Sequence, residues 1–350
     1  MKKKILLLLV FLAFFVMPTG CSVNNENHSP ISATGELVVH YIDVGQADAI
    51  LIELPNSQNM LIDAGNNSDG KTVAEYINDR GIQRLDYIVA THPHADHIGG
   101  MDTVINAFPV GKVYAPKATA NTKFFEDFLL AVKDRELKIS AVKGPMIVLD
   151  DGELKVSFIA PSRGSYENLN DWSVVTKIQY SKSSFMFTGD AEKESEEEML
   201  LQSAVRLEAD VLKVGHHGSR TSTSAAFLEA VSPWYAVISA GSGNDYGHPH
   251  SQVLEALDAA DVKVYRTDLN GTIVAASDGE NITFTTLKNT VEPRAPAAAT
   301  AAAGYIGNKN TRKFHLPSCL SLPEPSNQIR LQTRDEAINS GFVPCKICNP

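Results

Sequence analysis

The sequence predicts an α/β fold in which helices cover sheets, followed by a small metal-stapled module, and three observations carry that expectation. Between Glu36 and about Lys288, short apolar runs bounded by Gly, Asp or Pro alternate with amphipathic helical runs, an interleaving that excludes an all-α or all-β fold. Four potential metal ligands, His92, His94, Asp96 and His97, fall within six residues directly after one of those runs. Cys319, Cys345 and Cys348 lie together in the last 32 residues, and an odd number of thiols points toward a metal more than a disulfide framework. With 350 residues, 43% of them hydrophobic, the chain can bury a sizeable core.

In chain order, residues 1 to 20 carry Lys2, Lys3 and Lys4 and then a 13-residue apolar run, Ile5 to Met17. That run is shorter than the roughly 20 residues a bilayer span needs and reads as a secretion signal. Small residues before Cys21 resemble a bacterial lipoprotein signal. The resemblance implies a lipid on Cys21, residues 22 to 35 as a tether, and a chain held on the outer face of the cytoplasmic membrane or secreted. Strands are expected at Leu37 to Ile42, Ala49 to Leu54, Met60 to Ile62, Tyr87 to Ala90 and Ser184 to Phe187. Helices are expected at Thr72 to Asp79, Phe124 to Lys133, Glu192 to Leu201 and Val253 to Ala260, with the acidic run Glu192 to Glu198 as a solvated helix start that suits the helix dipole. Residues 289 to 304 are an Ala/Pro-rich linker. Residues 305 to 350 form a module small enough to need a staple.

Charge is unevenly spread. Residues 36 to 290 hold 21 Lys+Arg against 36 Asp+Glu, a net of −15, whereas residues 305 to 350 hold 6 against 3, a net of +3. A polyanionic partner is repelled by most of the first region and tolerated by the second.

Imidazoles and a carboxylate crowded on one turn are costly to bury unless a cation neutralises them. Three further apolar runs end in metal-competent groups: Leu61-Ile62-Asp63, Phe187-Thr188-Gly189-Asp190 and Val211-Leu212-Lys213-Val214-Gly215-His216-His217. Asp63 can stand behind the histidines as an orienting carboxylate, and Asp190 suits a bridge between two metals. Such a pair of cations lowers the pKa of a bound water and polarises the oxygen of the bond to be broken.

These elements resemble the metallo-β-lactamase superfamily, which implies an αββα sandwich over about residues 36 to 288. Within it, Tyr41-Ile42-Asp43-Val44-Gly45-Gln46-Ala47-Asp48, Asn170-Asp171-Trp172-Ser173, Thr188-Gly189-Asp190 and Gly215-His216-His217-Gly218-Ser219 are similar to the soluble domain of ComEC-type competence proteins. The resemblance implies His92 and His94 on a first metal, Asp96, His97 and His216 on a second, and Asp190 between them. The histidine the superfamily usually carries between the first loop and Asp190 is absent; Asp171 falls at that place and, as an oxygen ligand, admits Mn²⁺ as well as Zn²⁺. Asp43, Asp48, Asp63, His217 and Ser219 are candidates for orienting the ligands or meeting substrate. Asp96, Asp190 and His248 are the candidate catalytic residues, His248 by contact with the substrate or leaving group from the loop Asn244 to His250. A helix-entry loop with solvated histidines accounts for that loop equally well.

In the module, His315 and Cys319, then Cys345 and Cys348 after 25 residues, have the spacing of a structural zinc site. Tyr305 to Asn310, Phe314-His315, Arg334 to Ala337 and Pro344 to Cys348 resemble the metal-binding domain of the Ada DNA-repair protein, whose four ligands are cysteines. His315 stands in the first place here, so methyl transfer is not expected; the zinc fold carries over, and with it a DNA contact through Lys309, Arg312, Lys313 and Arg330, which otherwise are solubilising charges. The expected function is an exported, metal-dependent phosphodiesterase acting on DNA. The alternatives are a small-molecule ester, thioester or lactam hydrolase with the same metals, and a surface DNA-binding protein with a silent metal site.

Overall fold

The computed structural model describes residues 35–202, 205–288, 305–317, 319, 322–331 and 334–345. The signal segment, Cys21, the tether, the linker and Cys348 lie outside them. Among the described residues no helix is long and apolar enough to cross a membrane.

Two mixed sheets form the large domain. The first runs, edge to edge, through Ile282–Thr286, Ile273–Ser277, Leu37–Tyr41, Ala49–Glu53, Asn59–Ala64, Leu85–Val89, Val110–Ala115 and Ile139–Ala141. The second runs through Lys263–Arg266, Tyr235–Ile238, Val211–Lys213, Ser183–Phe187, Val175–Tyr180, Leu154–Ala160 and Met146–Asp150. In each sheet one half is antiparallel and the other parallel. The central parallel strands, such as Ser183–Phe187 and Val211–Lys213, are buried throughout, as strands covered on both faces must be.

Side-chain alternation sorts the core into layers. Ile50, Ile52, Met60 and Ile62 join Phe158, Phe185 and Phe187 between the sheets. Their neighbours Ala49, Leu51 and Leu61 turn the other way, under the helices Gly70–Asp79, Met101–Ala107 and Lys123–Asp134. Met186, Leu212 and Ile238 likewise pack under Lys193–Leu201, Ala225–Val231 and Ser251–Ala259. The result is the expected αββα sandwich. The acidic helix start departs from expectation, because Glu196 and Glu198 are buried: Glu196 accepts from the N–H groups of Thr223 and Ser224, and Glu198 from the hydroxyls of Tyr166 and Ser162.

In the small module, Tyr305–Asn308, Lys313–His315, Gln328–Leu331 and Val343–Pro344 form a four-stranded sheet. Its core consists of Tyr305, Phe314, Leu331, Ala337 and Phe342.

Candidate metal centre

The carboxyl ends of four parallel strands supply the functional groups, the place where α/β sheets leave helix-entry loops free to hold ligands. Asp63 closes the strand Asn59–Ala64 in a left-handed conformation, φ 58°. One of its oxygens accepts the Thr91 N–H at 2.9 Å; the other accepts the Thr91 hydroxyl at 2.6 Å and His97 Nδ1 at 2.8 Å. Asp63 thus fixes the exit of the neighbouring strand and leaves His97 Nε2 facing the site. The helix Ala95–Ile98 can approach this strand end because Gly100 follows it: a Cβ there would lie 2.3 Å from the Ala64 carbonyl oxygen.

Asp96, His97, Asp190 and His217 bring one ligand atom each to within 4.8 Å of one another. His97 Nε2 is 3.2 Å from Asp190 Oδ2, and His217 Nε2 is 3.3 Å from Asp96 Oδ2 and 3.7 Å from Asp190 Oδ1. His217 Nδ1 donates to the Ser239 carbonyl at 3.0 Å, which turns the Nε2 lone pair inward. Around the same carboxylate, His92 Nε2 lies 2.9 Å from His94 Nδ1 and 3.9 Å from Asp190 Oδ2, and His216 Nε2 lies 3.6 Å from that same oxygen. Asp190 is thus approached by His92, His97, His216 and His217, and its amide donates to the Ser173 hydroxyl at 3.0 Å.

Several expected placements change. His217, not His216, joins Asp96 and His97, because both residues of the pair adopt left-handed conformations, φ 49° and 54°, and so send their rings to different sides. His216 takes the His92 and His94 side and is braced by Glu192 Oε1 at 3.0 Å. Asp171 is engaged elsewhere: its Oδ1 accepts the N–H groups of Glu192 and Ser195, both at 3.1 Å, and so caps the helix Lys193–Leu201. Asp43 is a turn former, accepting the Gly45 N–H and pairing with Lys288 at 3.2 Å. Ser219 bonds Thr221 Oγ1 at 3.0 Å and sends its N–H to the His216 carbonyl, so it shapes the turn. Asp48 sits behind the centre, 3.8 Å from His97 Nδ1 and 3.7 Å from His217 Nδ1. Its partner is Lys213, fully buried, with Nζ at 2.5 Å. His248 stands beside the centre, its ring 5.5 Å from that of His216.

Thr91, Ser173, Glu192 and Lys213 escaped the sequence reading. A lone lysine inside the apolar run Val211 to Val214 was the one available signal.

Electrostatics separates the two sides. Burial opposes charge on His97 and His217, but Asp190 and the neighbouring carboxylates outweigh it and hold both above the usual histidine range. Burial and the adjacent His97 push His92 and His94 down. Asp190 is held well below the usual carboxylate range by His97 and His217 in spite of its burial. His97 Nε2, His217 Nε2 and Asp190 Oδ1 are buried with no hydrogen-bond partner. Orphaned nitrogen and oxygen donors aimed at one point are the arrangement a divalent cation satisfies, and the donor set fits. In the module, ligand atoms of His315, Cys319 and Cys345 also lie within 4.8 Å, and His315 Nε2 is buried without a hydrogen bond. Nitrogen and sulfur donors of this kind suit zinc.

Residues 42–242 match the family described as the metallo-beta-lactamase superfamily, and residues 290–350 match the metal binding domain of Ada. The chain is 33% identical over 261 residues to ComE operon protein 3 of Bacillus subtilis, an alignment covering 69% of this chain and 33% of that protein. It is 32% identical to competence protein ComA of Neisseria gonorrhoeae, over 68% of this chain and 32% of the relative. It is 30% identical to recombination protein 2 of Haemophilus influenzae, over 67% and 28%. The chain spans about a third of the length of these relatives. The family match, the αββα sandwich and the donor set at its strand ends agree: the chain belongs to the metallo-β-lactamase superfamily of metal-dependent hydrolases and carries an Ada-like metal-binding domain after the hydrolase fold.

Proposed function

We propose that the protein is an exported phosphodiesterase that cleaves DNA with water activated at a pair of divalent metals, Zn²⁺ or Mn²⁺. The observation that carries this reading is the convergence of four imidazoles, those of His92, His97, His216 and His217, on Asp190. His92, His94 and His216 would hold one metal and Asp96, His97 and His217 the other, with Asp190 available to both. Bound cations supply a lowered water pKa and an electrophilic pull on the phosphoryl oxygen.

The chain's own groups do the remaining work. Asp63, the Ser239 carbonyl and Glu192 fix the tautomers of His97, His217 and His216. Gln46 Oε1 accepts the Gly241 N–H, so its amide nitrogen faces His248 Nδ1 at 3.4 Å and leaves the imidazole proton on Nε2. Burial and His216 lower the His248 pKa to about 4. At neutral pH His248 is a neutral donor, suited to a hydrogen bond to a phosphate or leaving-group oxygen.

DNA is favoured by the competence and recombination relatives and by the positive small module. A lipid on Cys21 anchors the chain outside the cytoplasm in this reading. The −15 charge of residues 36 to 290 favours a second reading, hydrolysis of a small ester or thioester. Purified protein from residue 36 onward, loaded with Zn²⁺ or Mn²⁺ and offered single-stranded DNA, RNA and a bis-aryl phosphodiester, separates the two. Cleavage of DNA supports the proposal; no cleavage of any phosphodiester under either metal rejects it.

A further inference from the structure

The loop from Asn244 to His250 is exposed yet tightly fixed. The Asn244 side chain donates to the carbonyls of Gly241 at 2.9 Å and His248 at 2.6 Å, and accepts the N–H groups of Tyr246 at 3.2 Å and His248 at 3.0 Å. The loop presents a series of near-parallel rings. The ring of buried His217 lies 6.5 Å from that of His248 at an interplanar angle of 22°, and His248 lies 5.6 Å from Tyr246 at 24°. Tyr246 ends the series 69% exposed. Single exposed apolar residues are ordinary on protein surfaces. This one differs in being preorganised, with its backbone bonded to Asn244 and its ring stacked on a residue beside the metal centre. Among the described residues nothing hydrogen-bonds its hydroxyl. Arg220, also exposed and tied to the same loop through its N–H to His250 Nδ1 at 3.1 Å, adds a cation to this rim.

We infer that Tyr246 is a stacking platform for a nucleobase, so that the centre takes an unpaired strand and not an intact duplex. The inference rests on the phosphodiesterase reading above and names its substrate class. A π-face accepts any base, whereas bases inside a duplex have both faces occupied and reach a protein ring only after unstacking. The platform therefore selects for strandedness and not for sequence, and places a backbone phosphate beside His248.

The test uses the full chain, metal-loaded, with three substrates of equal length: an oligothymidylate, the same backbone lacking bases, and a blunt duplex. Wild type is expected to cleave the oligothymidylate with a KM below those of the abasic strand and the duplex. Tyr246→Ala should raise KM on oligothymidylate roughly five- to hundredfold, the worth of one stacked base, with kcat and the abasic KM unchanged. Tyr246→Trp should restore the wild-type KM. Fluorescence anisotropy in chelator should show the same loss of oligothymidylate affinity in Tyr246→Ala. Equal KM values for base-bearing and abasic strands, or a Tyr246→Ala effect of the same size on both, would overturn the platform and leave the phosphodiesterase standing. Failure of wild type to cleave any strand would overturn both.

Discussion

In the large domain the ligand cluster rests on a sandwich with three extensive apolar clusters, whereas in the small module one cluster centred on five residues surrounds His315, Cys319 and Cys345. The donor atoms differ in the same sense. The large domain offers carboxylates and imidazoles, three of the imidazoles braced by Asp63, the Ser239 carbonyl and Glu192; the module offers thiols and one imidazole. A core that closes by itself can carry a centre arranged for chemistry, while a core too small to close uses its metal as part of the fold.

The widest separation between the two regions is expected from Cys345→Ser. It should unfold the module and release its zinc, read by zinc content and by loss of the module's dispersed NMR signals, while phosphodiester turnover by the large domain on a small aryl substrate persists. An equally folded, zinc-replete variant would break the contrast. Asp190→Ala should do the reverse: roughly three or more powers of ten lost in kcat with the sandwich still folded, because the group serving both donor sets is gone. Wild-type turnover in this variant would eliminate the two-metal reading. Asp63→Asn, which keeps the shape but removes the charge behind His97, should cost about ten- to hundredfold in metal affinity, measured by titration against a competing chelator.

A pH scan sharpens the same comparison. Without metal, the raised pKa values of His97 and His217 mean that their contribution to stability is full below the unfolded value, about 6.5, and is lost as pH climbs through the folded values. The lowered histidines, His92, His94 and His248, act only below that window. The melting temperature of chelator-treated protein should therefore fall as pH rises above about 6.5, and metal should flatten the slope by displacing the protons. A flat metal-free profile would show that these histidines are neutral. Smallest of all, Asp171→Ala should cost about 1 kcal/mol of stability through its lost helix cap, with metal content and kcat unchanged; a drop in metal content would return Asp171 to the ligands.

Much of this was legible in the sequence where one residue type does one thing. Continuous apolar runs such as Phe185 to Phe187 announce strands buried on both faces, and His92 to His97 announces a metal loop. The tandem His216-His217 was not legible, since which ring faces which donor set depends on two consecutive left-handed dihedrals that no spacing rule encodes. Asp171 occupies the chain position of an absent histidine, whereas the hydrogen bonds of its carboxylate go to the start of a helix more than twenty residues on, which no spacing rule encodes. Glu196 looks like a solvated helix charge until the turn at Thr223-Ser224, far along the chain, supplies its donors.

Lys213 gives the large domain a cation of its own beside the metal ligands. Its amino group, buried inside the sandwich against Asp48, is a resident partner at the back of the centre. One of the buried carboxylates thereby has a partner supplied by the chain itself. The frame of the large domain is therefore expected to persist in chelator, whereas the module, with its five-residue core, is expected to lose its fold together with its ion.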